Sequence, residues 1–223
     1  MIFYLLLLVS IAITAAAQCL ISARYSKYSK IASMNEMSGA EVARKILKEN
    51  NLENVYVVET KGQLTDHYDP GQNVIRLSTK VYNYATISSA AIAAHEVGHA
   101  IQHKEGNFFI KLRKFIAPLV SIASRFGYLA ILIGLFAGLL KLVYIGIAML
   151  VVILLFQLIT LPVEFDASRK AMVCLEKYQL LLADERDGAR KVLTAAALTY
   201  VAGLITTLVE IARLLILVAG NRD

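Results

Sequence analysis

His95 and His99 flank a glutamate in the run His95-Glu96-Val97-Gly98-His99, which matches the pattern H-E-x-x-H. On an α-helix a spacing of four brings two side chains to one face, about 40° apart around the axis, so both imidazoles can reach one metal ion. Glu96 projects from a neighbouring angle, where its carboxylate can hold and deprotonate a water on that metal. The chemistry this points to is metal-assisted hydrolysis. Five residues of this kind also arise on solvent-facing helices. The pattern gains weight only if the chain adds a third ligand, a supporting fold and a surface for substrate.

Other residues bear on the same chemistry. Hydrolysis at a carbonyl needs a donor for the oxyanion of the tetrahedral intermediate. His67 and Tyr68, in a turn-rich loop upstream, are the candidates, with His67 preferred; the alternative is a turn stabilised by Asp66 and Asp69. His103 lies four residues beyond His99, but drift around the helix and its distance from His95 place it outside the coordination sphere. Asp166 and Asp184 are candidates for orienting the histidines, and no spacing argument selects between them.

The composition sets the surroundings. The chain has 223 residues, 57% of them apolar, with no Trp and only 3 Pro. Its mean hydropathy of +0.59 is too high for an ordinary soluble domain. The net charge of +6 sits in basic groups beside apolar runs. That is the pattern of the cytoplasmic ends of membrane spans, and with no aromatic-basic RNA signature no nucleic-acid partner is expected. Cys19 lies in an apolar run and Cys174 in a polar stretch, so neither a disulfide framework nor a Cys-based zinc site is expected, in keeping with a reducing compartment.

Residues 1–23 form an uncharged apolar run followed by Arg24, Lys27 and Lys30, a length that suits one transmembrane helix. Ala15-Ala16-Ala17 imitates a signal-peptidase site, but the basic start of a secretory signal is lacking, so an uncleaved anchor is expected. Because the positive charges follow the span, the N-terminus is expected outside and residue 24 onward in the cytoplasm.

Residues 24–114 read as a small cytoplasmic α+β domain. Ser38-Gly39-Ala40-Glu41 is a capping box opening a helix to about Lys48. Val55–Glu59 and Val74–Ser78 are strand candidates, separated by turn chemistry at Lys61-Gly62-Gln63 and Asp69-Pro70-Gly71. Ser88 or Ser89 is expected to cap the motif helix, which runs to about Lys104 and ends at Gly106. Ala90, Ala91, Ala93, Ala94 and Ala100 suit a helix packed between other elements. The strand at 74–78 either offers its edge to an extended peptide or only completes a small sheet.

From Phe115 to Pro162 the chain is apolar apart from Arg125 and Lys141. One helix of that length would be about 70 Å long against a bilayer core of about 30 Å. Residues 115–163 must therefore form a two-span hairpin, with spans at about 116–139 and 142–163 and a turn at Gly138 to Lys141. Residues 164–191 are charged, and residues 192–223 hold a fourth apolar span in which Glu210 and Arg213, three residues apart, can satisfy each other.

The hairpin returns the chain to the membrane face that carries His99. Glu164 lies there, where the third span leaves the bilayer, at the expected start of a helix beginning Glu164-Phe165-Asp166. A catalytic zinc keeps three protein ligands and one open position. On position alone Glu164 is either the third ligand or an ordinary acid in a helix first turn, favoured by the macrodipole.

This arrangement resembles the membrane-embedded gluzincin proteases of the HtpX type, in which the later glutamate is the third zinc ligand. It is more closely similar to the bacterial YugP-type neutral zinc metallopeptidases. The marks are Asp66-His67-Tyr68-Asp69-Pro70, Ala93-Ala94-His95-Glu96-Val97-Gly98-His99-Ala100-Ile101-Gln102-His103, Pro162-Val163-Glu164-Phe165-Asp166-Ala167-Ser168 and Ala195-Ala196-Ala197-Leu198-Thr199-Tyr200-Val201-Ala202. The HtpX pattern has an Ala-Asp pair after Glu-Phe-x, whereas here Asp166 directly follows Phe165. The resemblance implies a mainly α protein of the bacterial cytoplasmic membrane, with about four transmembrane helices and a zincin-like α+β domain. It also implies Zn2+ held by His95, His99 and Glu164, with Glu96 as base.

The expected activity is that of a membrane-bound zinc endopeptidase at the cytoplasmic face, with protein or peptide substrates and membrane lipids as partners. The alternatives are a membrane scaffold or chaperone-like protein with a structural metal, closed by four protein ligands, and a zinc hydrolase of non-peptide substrates.

Overall fold

The computed structural model describes residues 2–220. In chain order the elements are α1 (Ile2–Tyr28), α2 (Gly39–Glu49), β1 (Tyr56–Thr60), β2 (His67–Asp69), β3 (Val74–Ser78), α3 (Thr79–Asn83), α4 (Ile87–Lys104), α5 (Phe108–Phe136), α6 (Leu140–Lys177) and α7 (Ala183–Gly220). The protein is mostly helical with one small sheet. Among the described residues four helices, α1, α5, α6 and α7, are long and apolar enough to cross a membrane. The chain divides into two compact units. One takes the chain up to Gln18, Phe108–Pro162 and the chain from Leu198 on; the other takes Cys19–Asn107 and Val163–Ala197.

The first unit holds the apolar helices. Its core gathers Ile131, Val143, Ile147, Leu150, Leu214 and Val218. Glycines let α5 and α6 approach: a Cβ on Gly146 would lie 2.7 Å from the Gly127 carbonyl oxygen, and one on Gly134 2.8 Å from the Val143 nitrogen. Gly138 serves the turn instead. At φ +68 it is left-handed, and the Leu139 N–H donates back to the Gly134 carbonyl at 2.8 Å, a Schellman-type end that glycine adopts without strain. Arg213 Nε donates to Glu210 Oε2 at 2.8 Å, so the two charges in the apolar run of α7 pair across one helical turn as their spacing predicted.

The second unit is built around α4. Its core includes Val42, Ala43 and Ile46 from α2, Ile75 and Leu77 from β3, Ala90, Ala93, Ala94 and Val97 from α4, and Ala171 and Leu175 from α6. The alanines of α4 let neighbours close in on several sides, while α2 keeps a polar face towards water. The capping box of α2 is present: Ser38 Oγ accepts from the Glu41 N–H at 3.3 Å and Glu41 Oε2 accepts from the Ser38 N–H at 2.8 Å. The cap of α4 differs from the sequence expectation. Thr86 takes it, its Oγ1 accepting from the Ser89 N–H at 3.1 Å. The cause is tertiary: Thr86 is held extended by a bridge to Ala32, so the helix starts before Ser88 and Ser89.

The sheet runs β1-β3-β2, with β3 parallel to β1 and antiparallel to β2. The strand at 74–78 is therefore central. β1 pairs along its whole length and β2 along residues 74–76, so β3 is not the open edge expected for a peptide. The outer strands are β1 and β2; β2 comes from the stretch expected to be loop, in register His67 to Arg76 and Asp69 to Val74. Asp69 does stabilise a turn, its Oδ1 accepting from the Gly71 N–H at 2.8 Å.

A second correction concerns Glu164. No helix begins there. α6 runs unbroken from Leu140 to Lys177 with Pro162 inside it, so the N-terminal dipole that would explain an ordinary acid at Glu164 is absent. Pro162 removes one backbone hydrogen bond but does not end the helix, a tolerance common in membrane-spanning helices. α7 likewise joins the charged segment after Ala183 to the fourth apolar run in one helix.

Candidate metal centre

Helix α4 presents His95 and His99 one turn apart, their rings edge-on with centroids 4.8 Å apart. Helix α6 brings up Glu164. Its Oε2 lies 3.4 Å from His95 Nε2 and 3.5 Å from His99 Nε2. One ligand atom from each of the three residues falls within 4.8 Å of the others, and among the described residues this is the one such His, Cys, Asp and Glu cluster. These separations are longer than an N–H···O hydrogen bond of about 2.7–3.2 Å. Two ligand atoms each about 2.0–2.1 Å from a tetrahedral zinc stand about 3.3–3.4 Å apart. The donor set of two imidazoles and one carboxylate, at this spacing, fits zinc.

The electrostatics lead to the same conclusion. Glu164 is 2% and Glu96 7% exposed, and buried carboxylates are costly without compensating charge. Burial pushes the Glu96 carboxyl up from its ordinary range; His95 and His99 oppose this, while Asp66 and Glu164 add to it. Burial works against a charged His99, but the carboxylates of Glu164 and Glu96 more than offset it and raise that imidazole. The group as a whole gains from a cation.

Each histidine is held through its other ring nitrogen. Ser168 Oγ lies 3.2 Å from His95 Nδ1. Gln102 Oε1 lies 3.1 Å from His99 Nδ1. With Nδ1 engaged, each Nε2 is left to face Glu164, the arrangement that orients a metal-binding imidazole. Of the two aspartates, Asp166 accepts from Gln102 Nε2 at 2.8 Å, beside the site, whereas Asp184 Oδ1 accepts from the Glu185 N–H at 3.1 Å in the first turn of α7. Sequence reasoning missed Gln102 and Ser168. Helical spacing held the signal for both, since Gln102 is three residues from His99 and Ser168 four from Glu164.

The remaining candidates lie outside the ligand cluster. His103 is exposed, its ring edge-on to Tyr68 with centroids 6.1 Å apart. His67 is exposed, with Nδ1 2.8 Å from the Thr65 carbonyl. Tyr68 donates its hydroxyl to Asn73 Oδ1 at 3.0 Å. Asp66 anchors β2 to β3, accepting from the Ser78 N–H at 2.7 Å.

Comparison with known proteins bears on this centre. The sequence model of a family described as "Putative neutral zinc metallopeptidase" matches residues 3–219. A protein of Bacillus subtilis (strain 168) named "Putative membrane protease YugP" is 41% identical over 223 residues, 100% of this chain and 99% of the relative. No solved structure matches.

Proposed function

The chain belongs to this neutral zinc metallopeptidase family, and from that premise we propose that it is a membrane-bound zinc endopeptidase in which His95, His99 and Glu164 hold the metal and Glu96 is the base. The observation that carries the proposal is the position of one Glu164 oxygen, 3.4 Å from His95 Nε2 and 3.5 Å from His99 Nε2. When bound there, zinc would supply Lewis acidity towards a scissile carbonyl and lower the pKa of a water.

The chain's own residues do the rest. Ser168 and Gln102 keep the two Nε2 atoms turned inward. Glu96 takes the proton of the attacking water and delivers it to the leaving amine. Its burial raises its proton affinity, which suits a group that must both accept and return a proton near neutral pH. The peptide lies along β2, the outer strand that packs against α4, and adds to the sheet as a further strand. β2 carries both candidates for oxyanion donor. His67 has one contact, to Thr65, to give up, and Tyr68 must leave Asn73. Arg24, Lys27 and Lys30, after the apolar run of α1, support a cytoplasmic place for this zincin-like unit, with the N-terminus outside.

A structural metal on a scaffold would need a fourth protein ligand; the cluster supplies three among the described residues, which favours the open, catalytic site. The test is zinc content combined with peptide cleavage in the purified full-length protein. One zinc per chain, with cleavage lost on chelation and restored by zinc, supports the proposal. Zinc without cleavage of any peptide would move the assignment to a scaffold or to a hydrolase of other substrates.

A further inference from the structure

We propose that Gln102 is the positioning residue that sets two of the three ligands at once, a role that rests on the metal-site reading above. Gln102 is completely buried, at 0% exposure, and its amide offers two N–H donors on one side and one acceptor oxygen on the other. Nε2 lies 2.8 Å from the Val163 carbonyl oxygen and 2.8 Å from Asp166 Oδ2. A carbonyl and a carboxylate only accept, so both donors are committed and the amide has one orientation. Oε1 is thereby turned to His99 Nδ1 at 3.1 Å. An amide oxygen cannot donate, so in the neutral, metal-binding imidazole the proton of His99 resides on Nδ1 and the lone pair of Nε2 faces Glu164. Two acceptors on α6 thus choose the tautomer of a histidine on α4.

The same amide acts on the third ligand. Val163 precedes Glu164 directly, so the bond to its carbonyl fixes the α6 backbone beside the carboxylate. Asp166 is in turn held by Arg169. One side chain therefore sets the orientation of His99 and the placement of Glu164 on a different helix. An apolar residue of equal size at position 102 would fill the space and leave both free to turn.

The test is a double-mutant cycle on the full-length protein, read as the zinc dissociation constant by competition with a chromophoric chelator. Loss of such a supporting bond weakens metal binding by about 10–100-fold. Gln102→Met and Asp166→Leu should each fall in that range. Combined, they should bind no more weakly than Gln102→Met alone, because Asp166 acts through Gln102. Asp166→Asn, which keeps an acceptor oxygen, should lose less than the about tenfold that marks loss of a supporting bond. Unfolding of the metal-free Asp166→Asn variant should match that of the parent, because the buried Gln102 donor keeps its acceptor. Native affinity in Gln102→Met, or fully additive losses in the cycle, overturns the inference. If Gln102→Met does not fold, the Asp166→Asn and Asp166→Leu pair still decides: equal losses in the two overturn it. Failure of the unmutated protein to bind zinc would instead overturn the metal-site reading itself.

Discussion

A Cβ on Gly98 would lie 2.6 Å from the carbonyl oxygen of Ala167, so the two ligand-bearing helices meet at a contact with no room for a side chain. Gly98 immediately precedes His99, and Ala167 lies three residues beyond Glu164. The glycine inside the motif therefore sets how closely the third ligand approaches the first two.

Gly98→Ala tests this. Alanine favours a helix over glycine by about 1 kcal/mol, whereas overpacking a tight contact costs about 1–3 kcal/mol. The clash falls on backbone, which cannot rotate away, so the cost should win. The variant should unfold at lower temperature and bind zinc at least about tenfold more weakly, the cost typical of a disturbed ligand environment. A more stable variant with native zinc affinity would contradict the packing argument.

Zinc affinity should depend on pH partly through Glu96. Burial raises its folded-state proton affinity, so the metal-free protein keeps this proton above the ordinary carboxylate range of about 4.3. A cation in the site repels the proton and releases it. Affinity should thus rise with pH through the raised pKa of Glu96, and do so less steeply in Glu96→Gln. Chelator competition across that range checks the sign; identical slopes in the two proteins would remove Glu96 from the site.

Much of this design is legible locally. The apolar runs, the Ser38 capping box and the four-residue spacing of the histidines depend on neighbours in sequence, and they fold as their patterns predict. What escapes depends on distant partners. β2 is three residues long and becomes a strand only by pairing with β3. β3 reads as a possible free edge until β1 and β2 occupy both its sides. Pro162 suggests a helix boundary, but α6 continues through it. Gln102 looks like one more polar residue until α6 brings Val163 and Asp166 against it.

The capping box of α2 provides a control outside the ligand set. The Ser38 hydroxyl and backbone hydrogen bonds hold the Glu41 carboxyl below its usual range. A lowered folded-state pKa contributes stability above the unfolded value and loses it as pH falls through the folded one. Ser38→Ala should destabilise the protein by about 0.5–2 kcal/mol at neutral pH, with a smaller difference in acid. Zinc affinity should not change. A loss of zinc in this variant would mean that affinity reports general stability and not the ligand geometry.

For the oxyanion donor, His67→Ala and Tyr68→Phe divide the possibilities. Removing such a donor costs about 100–1000-fold in kcat. The true donor should show that loss with zinc retained. If kcat survives in both variants, β2 supplies no oxyanion contact.

The central claim is that Glu96 acts as a base beside a zinc held by His95, His99 and Glu164. The most direct measurement is the hydrolysis of a quenched-fluorescent casein by purified Glu96→Gln, with zinc content determined on the same sample. The account predicts zinc retained at the native stoichiometry and hydrolysis reduced by at least about 100-fold. Zinc retained with full hydrolysis would contradict it.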